Sequence, residues 1–74
     1  MGRVRWTPAR MDQLERAARD GRRVVLSRRG TEYVVVARRI DRSGSRDRLR
    51  GILPMTGEEL AFELEELDEF HVLP

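Results

Sequence analysis

The stretch Arg22-Arg23-Val24-Val25-Leu26-Ser27-Arg28-Arg29-Gly30-Thr31-Glu32-Tyr33-Val34-Val35-Val36-Ala37-Arg38-Arg39-Ile40 sets the period of the chain at two residues. Segments 22–28 and 31–40 are both rich in β-branched side chains, and Arg29-Gly30 lies between them as a tight turn. This pattern predicts a β-hairpin in which Gly30 takes a positive φ. The second arm, Tyr33-Val34-Val35-Val36-Ala37, is apolar on both faces. That predicts a central strand covered on both sides, inside a barrel or under a helix.

On the N-terminal side the period is helical. Thr7 can cap a helix whose first position is Pro8, where a missing N–H costs nothing. Trp6 and Met11 have the spacing of a hydrophobic staple. Met11, Leu14 and Ala18 form the stripe expected to be buried, and Gly21 suits the C-terminal stop. Arg10, Asp12, Glu15, Arg16, Arg19 and Asp20 are left for solvent, although the helix dipole favours an acid over Arg10 in the first turn.

On the C-terminal side, Asp41–Asp47 reads as a polar, glycine-containing loop. A third strand over 48–53 ends at Pro54, which cannot donate to a ladder. Thr56-Gly57 makes the next turn. Leu60, Phe62 and Leu64 then alternate with Ala61, Glu63 and Glu65, giving one buried and one solvated face. A helical turn over 65–69 should bury Leu67, and 70–73 closes the chain as a short strand with His71 facing solvent.

The expected fold is α+β and mostly β: an N-terminal helix with a small, strongly bent antiparallel sheet or SH3/Sm-like barrel of about five strands. The 74 residues allow one domain, divided into a lead-in segment 1–6, the helix 7–20 and the sheet 22–74. The absence of cysteine excludes disulfides and thiolate metal sites, and His71 has no second imidazole with which to share a metal. No cofactor or metal is expected. The longest apolar run, Val34-Val35-Val36-Ala37, falls far short of the roughly 20 residues that cross a bilayer, and no signal peptide is legible, so a cytoplasmic location is expected.

The net charge of +2 conceals an asymmetry. Residues 1–50 carry all fifteen arginines and six acids, a balance of +9; residues 51–74 carry seven acids and no base, a balance of −7. These halves can pair within the fold, pair between molecules or face different partners.

Guanidinium groups bind two phosphate oxygens at once, so Arg22, Arg23, Arg28, Arg29, Arg38, Arg39, Arg42, Arg46, Arg48 and Arg50 are candidate nucleic-acid or anion contacts. Tyr33, if exposed, could stack a base beside them. The competing reading gives the arginines to ordinary solvated positions paired with nearby acids. Neighbours on a strand point to opposite faces, so Arg22/Arg23, Arg28/Arg29 and Arg38/Arg39 should not all join one patch. Glu58, Glu59, Glu63, Glu65 and Glu66 form a candidate protein-interaction segment. No nucleophile–base pair, phosphate loop or metal cluster can be assembled, so an enzyme is not expected.

The chain resembles the Rof-like family of Rho inhibitors, small bacterial Sm-like proteins. The resemblance lies in Met11-Asp12-Gln13-Leu14-Glu15-Arg16-Ala17, the hairpin after it, and the ending Glu59-Leu60-Ala61-Phe62-Glu63-Leu64-Glu65-Glu66-Leu67-Asp68-Glu69-Phe70. It implies transcription regulation through a nucleic-acid-handling protein. Gly30-Thr31-Glu32-Tyr33-Val34-Val35-Val36 and the pattern Phe62-x-Leu64-x-x-Leu67-x-x-Phe70 are similar to the WYL domain, a ligand- or nucleic-acid-sensing module on an Sm-like sheet. The expected function is a non-catalytic regulatory or adaptor module that binds RNA, single-stranded nucleic acid or a nucleic-acid-handling protein. The alternative is a self-associating homo-oligomer that pairs the acidic end of one copy with the Arg-rich hairpin of the next.

Overall fold

The computed structural model describes residues 3–74; of the lead-in 1–6, residues 1 and 2 lie outside the described residues. Helix α1 spans Pro8–Asp20. The Thr7 hydroxyl accepts the Arg10 amide hydrogen at the start of α1, and Gly21 closes its end in the left-handed region at φ 67°. Leu14, Ala17 and Ala18 are its buried residues; Met11, expected in the stripe, is only partly buried, and Ala17, which the pattern leaves out, is in it.

Five strands follow: β1 (Arg23–Arg28), β2 (Thr31–Asp41), β3 (Arg48–Ile52), β4 (Glu59–Glu63) and β5 (Glu69–Val72), with a 3-10 turn at Leu64–Glu66 before the last. They form one antiparallel sheet in the order β4-β3-β2-β1-β5. Both turn residues of the β1–β2 hairpin take positive φ, Arg29 at 52° and Gly30 at 80°. This mirror-image turn matches the twist of the strands it joins.

The sheet does not close into a barrel: β4 and β5 are its two edges, five and four residues long, and no ladder joins them. Five flat strands would set those edges about 19 Å apart. The link from Glu63 to Glu69 includes the 3-10 turn, which advances only about 2 Å per residue, so it reaches roughly 16 Å and the sheet must curl. Two features of β2 and β3 provide the bend. The register slips between Ala37 and Arg39, a bulge, and Gly51 stands opposite Ala37.

Val24, Leu26, Val35, Ala37, Leu49 and Phe62 fill the inner face of the curl with Leu14 of α1, while Leu64, Leu67 and Phe70 close its rim. The lead-in joins this packing. The Val4 amide donates to the Leu67 carbonyl at 3.0 Å, and the Trp6 indole N–H donates to the Leu64 carbonyl at 2.9 Å. Arg10 is not a solvated residue as the helical pattern suggests. Its guanidinium lies 4.6 Å from the Phe70 ring centre and donates to Glu69 at 3.1 Å, which accounts for a cation in the first turn.

One face of β2 departs from expectation. Val35 and Ala37 are fully buried, but Val34 on the other face is 42% exposed. The helix covers only the inner face, and the open sheet leaves the outer one to solvent. No helix among the described residues is long and apolar enough to cross a membrane.

Candidate nucleic-acid interface

The arginines separate into those already held by acids and those that are not. Arg46 bonds Glu63 at 3.0 Å and approaches Glu65 at 3.8 Å, which holds its guanidinium above its ordinary pKa. Arg48 approaches the same Glu63 at 4.0 Å, and Arg29 meets Glu66 at 3.5 Å. Arg50 places two donors on one oxygen of Asp41, at 3.1 and 3.2 Å. Hydrogen bonds from the Ser43 hydroxyl and amide, then from Arg50, hold the Asp41 carboxyl well below the usual carboxylate range. Arg42 bonds Glu15 and lies 4.0 Å from Asp47. Much of the charge asymmetry is therefore resolved within the chain, the acidic end reaching back to the 41–50 segment and the hairpin turn.

Arg28 has no carboxylate partner among the described residues. Its guanidinium lies over two rings, 5.3 Å from the centre of Tyr33 and 5.0 Å from that of Phe62. Tyr33 meets Phe62 edge-on at 5.1 Å and accepts a hydrogen bond from Arg28 at its hydroxyl. Tyr33 is thus a half-buried packing residue with one ring face under a guanidinium, not the open stacking platform that exposure would provide.

The bulge changes the geometry of the remaining arginines. Strict alternation would send Arg38 and Arg39 to opposite faces. The extra residue between Ala37 and Arg39 breaks that alternation, and both are exposed. With Arg19 and Arg42 they line one open depression between α1 and β2, with Ala18 and Ile40 as its apolar floor. Glu15 is the one acid on this lining, and it is bonded to Arg42. The Arg28/Arg29 pair does separate: Arg28 goes to the rings, Arg29 to Glu66.

Arg22 and Arg23 stand nearby at the start of β1, where the Arg22 carbonyl accepts the Ala37 amide hydrogen at 2.9 Å. Arg22, Arg23, Arg38 and Arg39 have no carboxylate within salt-bridge distance among the described residues. The C-terminal end of α1 lies beside them, and its dipole favours this concentration of positive charge.

Arg19 lies outside the candidate set that the sequence indicates. The Arg19 position was legible, since it follows the buried Ala18 and lies one turn beyond Glu15. Arg39 depends on the bulge, which period-two alternation does not reveal.

Of the acidic candidates, Glu63, Glu65 and Glu66 are engaged by arginines of the same chain, whereas Glu58 and Glu59 are exposed at the start of β4 without a basic partner among the described residues. His71 is exposed on β5. No group of three or more histidine, aspartate or glutamate side chains among the described residues is placed to hold a metal ion.

No protein-family model, curated protein or solved structure matches this chain.

Proposed function

We propose that this protein is a small, non-catalytic, cytoplasmic regulatory module that contacts the phosphate backbone of single-stranded nucleic acid, RNA foremost. The carrying observation is the placement of Arg38 and Arg39 on one open depression with Arg19 and Arg42, where Arg38 and Arg39 have no acid to neutralise them among the described residues. Forked guanidinium donors on a shallow, open surface suit a charged, flexible strand. With one half-buried tyrosine and no open aromatic platform, such binding rests on charge and reads little sequence.

The order of elements is also that expected of an Sm-like sheet, with the last strand beside the first. Together with the resemblance to Rof-like proteins, this favours a role at a nucleic-acid-handling machine. Head-to-tail pairing of acidic end and hairpin is less favoured, because Glu63, Glu65 and Glu66 already have arginine partners in their own chain. Titration of labelled single-stranded RNA and DNA at low and moderate salt tests the proposal. Binding that weakens steeply with salt supports it; absence of binding at low salt rules it out.

A further inference from the structure

The outer face of the sheet carries an apolar strip that the fold leaves uncovered. Val25 stands opposite Val34 in the β1–β2 ladder, and Val36 stands opposite Ile52 in the β2–β3 ladder. Alternation places all four on the face turned away from Val24, Leu26, Val35 and Ala37, which are buried. Val34 is one of two large apolar residues exposed among the described residues, and Val25, Val36 and Ile52 are half-buried. A β2 that is apolar on both faces needs cover on both, and α1 supplies one.

The charges at the two ends of this strip have opposite sign. Glu32 precedes Val34 on the same face, and Arg39 follows Val36 beyond the bulge. Neither has an ion-pair partner among the described residues. Arg39 stands directly opposite Arg50, a like-charge pair, and Asp41 is already committed to Arg50.

We infer that this face pairs with a second copy of the chain. A two-fold axis lying between the two sheets, perpendicular to β2 and passing between Val34 and Val36, makes the contact self-complementary. Val34 of each copy then meets Val36 of the other, and each Glu32 faces the other copy's Arg39. An isologous arrangement satisfies both charges twice with one set of residues. A five-stranded face about 19 Å wide is small. The contact falls in the class below about 1,200 Å² of total buried area, so pairing is weak and set by concentration.

Sedimentation equilibrium of the full chain across a concentration series tests this. The expected result is a monomer–dimer equilibrium that Val34→Asp abolishes while the far-ultraviolet circular dichroism stays native. Glu32→Arg and Arg39→Glu should each weaken the dimer by about 2- to 5-fold, and the double variant should restore it. A folded chain that stays monomeric to millimolar concentration overturns the inference, as does a dimer indifferent to Val34→Asp or to the charge swap. Arg39 serves both readings, so the variant that separates them is Val34→Asp, which alters the dimer face and leaves every arginine of the depression in place.

Discussion

Trp6 and Phe70 stack with their ring centres 5.2 Å apart and their planes 9° from parallel. The lead-in is thereby fastened to the last strand, and the indole N–H hydrogen bond to Leu64 adds a tie to the turn between β4 and β5. Because β5 sits at a sheet edge and has only four residues, the aromatic stack is a main support for it. Trp6→Ala is expected to lower unfolding free energy by about 2–3 kcal/mol, below the full cost of a buried tryptophan because the ring is half-exposed. Trp6→Phe keeps the stack and loses the hydrogen bond, a cost of about 1 kcal/mol. Urea denaturation followed by circular dichroism separates the two.

Gly51 is where β3 passes closest to β2. A Cβ placed there would lie 2.8 Å from Cγ2 of Val35 and 3.2 Å from the Val36 carbonyl oxygen. Gly51→Ala should therefore destabilise by about 1–3 kcal/mol through overpacking. Val35→Ala in the same chain removes the Cγ2 contact but leaves the Val35 Cβ at 3.0 Å and the carbonyl contact. The double variant is expected to be less destabilised than the two single effects summed, a positive coupling that a double-mutant cycle measures.

Arg29 adopts φ 52° in the hairpin turn, a left-handed conformation that asparagine tolerates better than arginine because its short polar side chain can hydrogen-bond the local backbone. Its ion pair with Glu66 spans 3.5 Å, with the Arg29 side chain 81% exposed, so little is lost with it. Arg29→Asn should raise stability by about 0.5 kcal/mol, read as an upward shift of the thermal midpoint.

Asp41 carries the clearest pH dependence. Its folded pKa lies below the ordinary value of 3.8, so the folded state binds its proton less readily than the unfolded chain does. The resulting stabilisation is fully present above pH 3.8 and fades as pH falls below that value toward the folded pKa. The stability difference between wild type and Asp41→Asn should stay constant from neutral pH to about 5 and shrink in stronger acid. A difference that grows on acidification would contradict the assignment.

Most of the fold is legible in local chemistry. Thr7, Pro8 and Gly21 mark the ends of α1 within a residue, and Arg29-Gly30 fixes the hairpin. The short turn before β5 falls at Leu64–Glu66 instead of 65–69, since Leu64 both ends the alternating strand and begins the turn. What is hidden depends on contacts between distant residues. Period-two counting cannot show a bulge at Arg38, so it scatters two arginines that the fold brings together. Nor does it show that Arg10 is drawn onto Phe70, 60 residues away along the chain. The acidic third looks like a separate surface in sequence because its partners, Arg46, Arg48 and Arg29, come from other strands and turns.

The most direct test of phosphate contact at the bulge is the salt dependence of single-stranded RNA binding by wild type and by Arg38→Ala combined with Arg19→Ala. Each lost phosphate contact on a single strand should lower the slope of log K against log salt by about 0.7, so the double variant should lose about 1.4. Arg16→Ala, which removes only the ion pair with Asp12, should leave the slope unchanged. A double variant with the slope and affinity of wild type would contradict the account.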